Sequence, residues 1–564
     1  MVALLGALLF SLTPILADGP ADNLADKVRP IPPPGKSISA EERTELQSSL
    51  DALHSKIEKL RDQGKSKKEI RELLPDIEIF YNAVRYALEY DEIFNPKNEV
   101  PAAKELLKEG LERAEELAKG EPEWIHAAGL TVHGYVSRID GSVQPYGLVV
   151  PPSFKGKSDA PRRLDTWFHG RGETLSELNF LRDRMHNPGE FTPENTFVLH
   201  LYGRYCNANK FAGEIDLFEA LDDVKRRYAI DENRIIVRGF SMGGAACWQF
   251  ATHYAGMWAA AAPGAGFAET ADFLRVFQKE AVAPPWWEQK LWHWYDATDY
   301  ALNLYNCPTV AYSGGIDPQK QAADIMAKSL EKYGMELTHI IGPNTPHRYE
   351  PGAKKEVIRR IDSIAEKGRN PFPRNVKFET WTLRYNEMLW VKLDAMAEHW
   401  ERAMIEAEWI NDQNVEVQTK NATAFTLSVP SGYAPLTLQK SIQVKVDGKE
   451  LNAPSPQTDR SWTAHFRKEN GAWKIVEDAK CEGLHKVHGL QGPIDDAFMD
   501  SFIFVVPSGE AMNDKVGAWV ASEQKHAIEH WRKQFRGEAR VVKDSDLTDA
   551  EIASANLVLW GDPN

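Results

Sequence analysis

Cysteine is scarce. The 564 residues hold four, Cys206, Cys247, Cys307 and Cys481, far apart and without a CxxC or other metal-ligand spacing. Such usage argues for isolated buried thiols and against a disulfide framework, and no metal or organic cofactor is implied. Positive charge is also in short supply: 67 Lys and Arg against 82 Asp and Glu leave a net charge of −15. That balance argues against binding to a phosphate backbone, so no nucleic-acid partner is expected. Beyond the N-terminus no apolar run is long enough to cross a bilayer, and there is no internal repeat or low-complexity tract. The composition that remains, 43% hydrophobic and 26% charged, is that of a globular chain able to bury several cores.

The first 17 residues, MVALLGALLFSLTPILA, form an apolar run too brief to span a membrane, and they end in Ala17 just before Asp18. They read as a signal peptide, so a secreted or periplasmic location is expected, with no membrane span in the mature chain. The sequon Asn421-Ala422-Thr423 is read as a chance occurrence. Residues 18–39, with Pro30, Pro32, Pro33 and Pro34, read as an extended linker, because proline removes donors and biases its predecessor away from helix.

Helical spacing then takes over in a domain expected over residues 40–122. Leu46, Leu50, Leu53, Ile57 and Leu60 recur at three and four, as do Ile70, Leu73, Leu74 and Ile77, and a third helix is expected over 102–117. Residues 123–370 alternate strands with helices. Strands are expected at 130–136, 146–150, 164–168, 196–201, 235–237, 258–262, 308–313 and 337–341. This alternation means an α/β domain, a mostly parallel sheet covered on both faces, with its site beyond the C-terminal ends of the strands. Strand signals dominate residues 371–480, where a β-sandwich-like domain is the simplest account. Residues 481–564 read as a partial α/β unit that stops where a covering helix would be due. The sequence sets no oligomeric state.

The chain is organised around residues 234–246, RIIVRGFSMGGAA, centred on Gly239-Phe240-Ser241-Met242-Gly243. A β-branched run leads into the serine, and Gly243, Gly244, Ala245 and Ala246 open a helix with little bulk. A serine on such a corner is lifted out of the sheet, and only small residues two before and two after it let strand and helix approach. The pentapeptide alone is weak, at roughly 0.2 chance matches for this length. Its context between a strand-like and a helix-like run makes it a nucleophile elbow.

A serine hydroxyl needs a base, and the base needs an orienting group. The expected strand at 308–313 is followed by Gly314-Gly315-Ile316-Asp317, and that at 337–341 by GPNTPHRY, which carries His347. Ser241, Asp317, His347 is the chain order this sheet type requires. Among 16 histidines, His133, His200 and His339 fall within strand runs, and His253 and His293 on helical or loop segments. Asp296 and Asp299 are the alternative acids, and a helix cap before Gln319 is the alternative role for Asp317. Met242 N–H is expected to donate to the oxyanion, together with Arg171 or Gly170 N–H from the turn His169-Gly170-Arg171-Gly172. His169, Tyr202 and Arg204 are candidate substrate contacts, Arg204 equally readable as a structural partner of Glu214 or Asp216. Trp286 and Trp287, in an insertion with Trp292, Trp294 and Tyr295, read as a lid that stacks on sugar or aromatic groups, or as a local core.

NRIIVRGFSMGG, HGRGE, YSGGIDPQKQAA and GPNTPHRY together resemble the prolyl oligopeptidase-like branch of the α/β-hydrolase superfamily, with the neighbouring secreted feruloyl and acetylxylan esterases. The resemblance covers roughly residues 125–364. It implies an α/β-hydrolase core in which Ser241 is the nucleophile, His347 the base and Asp317 its orienting acid. The departure lies upstream, where the family's oligopeptidases carry a β-propeller and residues 40–118 look helical. The expected function is a serine esterase acting on polysaccharide-linked acyl groups. A peptidase with the same triad is the alternative, and a non-catalytic carbohydrate-binding protein the second. Partners would be a small ester, peptide or polysaccharide substrate.

Overall fold

The computed structural model describes residues 30–279, 283–435, 440–480 and 483–561. The expected signal peptide, the first part of the proline-rich linker and Cys481 lie outside them.

The central element is an eight-stranded sheet: β1 (Gly129–Val136), β2 (Val143–Val150), β3 (Arg162–Phe168), β4 (Phe197–Leu201), β5 (Ile230–Phe240), β6 (Ala260–Gly264), β7 (Val310–Gly314) and β8 (Thr338–Gly342). Their spatial order is β1-β2-β4-β3-β5-β6-β7-β8. Strand β2 runs antiparallel to both its neighbours, and the pairs from β4 through β8 are parallel. This is the sheet of an α/β-hydrolase. The parallel strands are buried on both faces, as Phe197–Leu201 and Val310–Gly314 are throughout, which explains why they read as continuous apolar runs. Strand β6 begins at Ala260, later than the expected 258, after Trp258 has filled the core beneath it at 0% exposure.

The helices Ala40–Gly64, Lys68–Leu73, Pro75–Glu89 and Pro96–Lys119 bury the leucine and isoleucine stripes read from the sequence, the second stripe being split between Lys68–Leu73 and Pro75–Glu89. The last begins at Pro96, six positions before the expected start, with proline at the head of the helix, where its missing N–H costs nothing. These helices share a core with Val132 of β1 and with Leu178 and Leu181 of the helix Glu177–His186. Asp76, fully buried, ties the layers together: it accepts from Trp124 Nε1 (2.9 Å), from the Gly134 N–H (2.9 Å) and from the Arg227 guanidinium (2.6 and 3.0 Å). Arg227 holds its carboxyl far below the usual range, against the opposing effect of burial.

Between residues 375 and 476 two five-stranded sheets pack face to face. Alternation along Ala403–Asn411 and Val391–Met396 turns Ile405, Ala407, Trp409, Val391 and Leu393 into one shared core. The Asn421 side-chain amide donates to the Glu398 and Glu401 carbonyls (2.8 and 2.9 Å), which ties the start of the strand Ala422–Val429 to the 398–401 segment. The last segment sets three parallel strands, with Phe502–Val506 central, beside the long helix Asp514–Phe535. Cys206, Cys247 and Cys307 are free thiols, the last two buried. Among the described residues no helix is long and apolar enough to cross a membrane.

Candidate active site

Strand β5 ends at Phe240 and the helix Met242–His253 begins one residue later, which leaves Ser241 at φ 62°, ψ −123°. A non-glycine residue in this region stores strain, and the surroundings must over-determine it. They do so through glycines. A Cβ added at Gly239 would lie 2.0 Å from the Gly243 carbonyl oxygen, and one at Gly243 would lie 1.9 Å from that of Phe168. The Ser241 N–H donates to the Gly264 carbonyl at 2.9 Å, tying the corner to β6. Met242 opens the helix, where the first N–H groups have no intrahelical partner and the dipole favours negative charge.

The loops after β7 and β8 are fastened to one another. Gly315 N–H donates to the Gly342 carbonyl (2.7 Å) and Ile316 N–H to that of Thr345 (3.1 Å). Tyr312 of β7 sends its hydroxyl to the Arg348 carbonyl (2.8 Å), and its oxygen accepts from the Glu350 N–H (2.7 Å). This lacing brings His347 Nδ1 to 2.8 Å from Asp317 Oδ2, with the Asp317 side chain 1% exposed and that of His347 37%. The other carboxylate oxygen of Asp317 accepts from the Gln319 N–H at 2.9 Å. Both roles read for this residue, cap and histidine partner, are therefore filled at once, one by each oxygen. The His347 ring lies 4.8 Å from that of Phe240, the residue before the serine.

On the other side of the corner stands the turn 169–172. A Cβ at Gly170 would come within 3.7 Å of the Ser241 Cβ, so this turn packs beside the serine side chain. It is held by Cys206, whose Sγ accepts from the Gly172 N–H (3.3 Å) and donates to its carbonyl (3.1 Å). The Arg171 side chain turns to Glu173 at 3.0 Å.

Three residues expected as substrate contacts are engaged by the protein itself. His169 has both ring nitrogens against main-chain carbonyls, those of Gly170 (2.7 Å) and Tyr202 (2.9 Å), and burial pushes its pKa down. It clasps the turn to the end of β4. Tyr202 is fully buried with its hydroxyl on the Leu175 carbonyl (3.1 Å). Arg204, also fully buried, forks onto Asp140 (3.1 and 3.3 Å) and Ser137 (2.7 Å). Its partner is therefore neither Glu214 nor Asp216. Those carboxylates are taken elsewhere, Asp216 by the Tyr135 hydroxyl (2.5 Å) and Glu214 by Tyr254 and Tyr385 (2.7 and 2.8 Å).

The tryptophan-rich insertion divides between its two readings. Trp286 and Trp287 stand 72% and 53% exposed on the short helix Trp286–Trp292, whereas Trp294 is buried with Tyr300, Tyr385 and Trp531. The alternative acid Asp299 binds His293 Nδ1 (2.6 Å), and that imidazole stacks on Trp381 at 3.8 Å. Asp296 accepts from Thr270 Oγ1 (2.6 Å). Neither competes with Asp317 for His347. The sequence reading missed the loop lacing by Tyr312, the clasp by Cys206 and the packing of Gly266 on the corner, where a Cβ would lie 2.7 Å from the Ser241 carbonyl oxygen. Only the Gly314-Gly315 pair at the end of β7 hinted at so close an approach.

Residues 206–367 match the prolyl oligopeptidase family. That stretch holds the elbow and the loops of Asp317 and His347, and it leaves the helical, sandwich and terminal segments unmatched. No curated protein matches the chain in sequence. Similar solved structures include a putative dipeptidyl aminopeptidase IV from Bacteroides ovatus, at 14% identity over 43% of this chain and 36% of that chain, TM-score 0.33. Another is the fluorophosphonate-binding serine hydrolase F of Staphylococcus aureus, at 15% identity over 42% and 99%, TM-score 0.30. A ferulic acid esterase is similar at 13% identity over 42% and 97%, TM-score 0.30. The chain thus spans 36% of the length of the first of these.

Proposed function

We propose that this chain is an exported serine hydrolase that passes an acyl group from an ester to Ser241 and then to water, with polysaccharide-linked acyl groups as the substrate class. The observation that carries the reading is the 2.8 Å bond between His347 Nδ1 and Asp317 Oδ2, next to a serine held at φ 62°. With Nδ1 committed to the carboxylate, Nε2 is the nitrogen left to take the Ser241 proton. The serine oxygen attacks the ester carbonyl, and the charge that develops there is met by Met242 N–H and by a donor from Gly170 or Arg171. His347 returns the proton to the departing alcohol. Water then repeats the sequence: it gives a proton to His347 and attacks the acyl carbon, and Ser241 leaves with that proton. No cofactor enters any step.

The match of residues 206–367 to the prolyl oligopeptidase family favours a second reading, peptide-bond cleavage by the same groups. Helices occupy the place upstream where that family's oligopeptidases carry a propeller, which favours the ester. Turnover of aryl acetate and methyl ferulate beside a proline anilide separates the two. Ser241→Ala is expected to lower kcat by on the order of 10³ or more and to abolish labelling by a fluorophosphonate. Unchanged turnover in that variant would refute the reading, and a wild-type protein that never labels yet retains polysaccharide would be a binding protein.

A further inference from the structure

Lys210 lies in the loop between β4 and the helix Ala212–Arg227, at the edge of the sheet where Ser241 also emerges. The backbone of this loop is strained. Arg204, Tyr205, Ala208, Asn209 and Phe211 all hold positive φ, and Phe211 at φ 52°, ψ −124° nearly repeats the conformation of Ser241. Such strain persists only where the surroundings over-determine it, and it clusters where a side chain must be aimed. Here the restraints are the Asn209 amide on the Gly213 carbonyl (3.1 Å), the Gly203 N–H on Asp216 (2.9 Å) and the Phe211 N–H on the Tyr295 hydroxyl (3.1 Å).

The outcome is an ammonium set between two rings, 4.8 Å from the centroid of Tyr295 and 5.4 Å from that of Phe267. Phe267 directly follows Gly266, the residue packed on the Ser241 carbonyl, so the charge sits beside the segment that clamps the corner. Ring faces replace part of the lost hydration but use none of the three N–H donors. Among the described residues no carboxylate pairs with this lysine. Asp296, the acid whose charge it feels, is raised to about 7 by its own burial and is bonded to Thr270. A half-buried cation with no carboxylate partner among the described residues, held beside two rings by a strained loop at the edge of the sheet where Ser241 emerges, is a receptor for an anion.

We propose that Lys210 determines specificity by receiving a carboxylate, or a comparable oxyanion, carried by the substrate. The assignment rests on the acyl-transfer reading of Ser241. It makes hemiesters, or esters of uronate-bearing sugars, better substrates than neutral esters of the same size.

Two pairs of esters tell which portion bears the charge: monoethyl adipate against ethyl hexanoate for the acyl side, and 4-acetoxybenzoate against phenyl acetate for the leaving side. In Lys210→Met the ratio of kcat/KM for the anionic to the neutral member is expected to fall about tenfold or more in at least one pair, mainly through KM, and in Lys210→Arg to be retained. Should Lys210→Met not fold, the wild-type protein still decides the matter, since adipate but not adipamide should slow fluorophosphonate labelling of Ser241. Charge-blind ratios, or equal protection by the diacid and the diamide, overturn the role of Lys210 while labelling leaves the hydrolase reading standing. A wild-type Ser241 that does not label brings down both.

Discussion

Gly314→Ala tests whether the fastening of two loops is what aligns the candidate base. Gly314 ends β7 and is not in the left-handed region, so conformational freedom is not its reason for being glycine. The reason is proximity: an added Cβ would lie 2.3 Å from the Thr345 carbonyl oxygen and 2.4 Å from that of Pro346. An ordinary carbon–oxygen contact is about 3.3 Å, so the shortfall is about 1 Å. Both oxygens belong to the main chain of the His347 loop, and no side chain can swing away to absorb the clash. The loops must part, against the bonds from Gly315 to Gly342 and from Ile316 to Thr345. Opening the 2.8 Å contact between His347 and Asp317 by that amount takes it beyond hydrogen-bonding range. A misplacement of about 1 Å costs on the order of 10²-fold in rate, or about 2.7 kcal/mol of barrier. Overpacking adds a stability loss of about 1–3 kcal/mol. The assay is kcat/KM on an aryl acetate beside a thermal melt, with Gly509→Ala as the control because its Cβ meets nothing within 4 Å. Full activity and an unchanged Tm in Gly314→Ala would refute the reasoning.

Two further outcomes follow from buried charge. Arg204→Met strands the Asp140 carboxylate and should cost about 3–5 kcal/mol in a denaturant titration, while kcat/KM of the folded protein stays within about tenfold; a raised KM without lost stability would restore Arg204 as a substrate contact. Asp296, raised from 3.8 to about 7 by burial, keeps a proton that the unfolded chain releases. Its contribution is therefore favourable below about 3.8, declines as pH rises towards about 7 and is flat beyond. Asp296→Asn should accordingly stabilise the fold at pH 8 more than at pH 4.5, by roughly 1–3 kcal/mol. An equal change in Tm at both pH values would contradict that account.

The elbow was legible because the pattern that marks it is local. A buried strand, a corner and a helix without bulk follow one another within 13 residues of sequence, and Gly239 is dictated by the Gly243 carbonyl inside that stretch, whereas Gly243 answers to the distant Phe168 carbonyl. Asp317 and His347 were legible for a related reason, since each lies just past a strand whose apolar run marks it, and a parallel sheet sends both loops to the same edge. Arg204 shared that position yet turned inward. Its partner Asp140 lies in the turn between β1 and β2, 64 positions upstream, and no local pattern connects them. The tryptophan insertion left two readings open for a similar cause: composition shows how many rings there are, while the packing of Tyr385 and Trp531 decides that Trp294 is covered and Trp286 is not.

The sequence by itself determined the order of strands and helices and the three side chains that stand at their ends, because periodicity and turn chemistry act over a few residues. Only the tertiary structure decided how close those side chains come and which charges are satisfied. Those outcomes depend on loops that approach within van der Waals contact from distant parts of the chain: the Thr345 carbonyl against Gly314, Cys206 against Gly172, and two rings around Lys210.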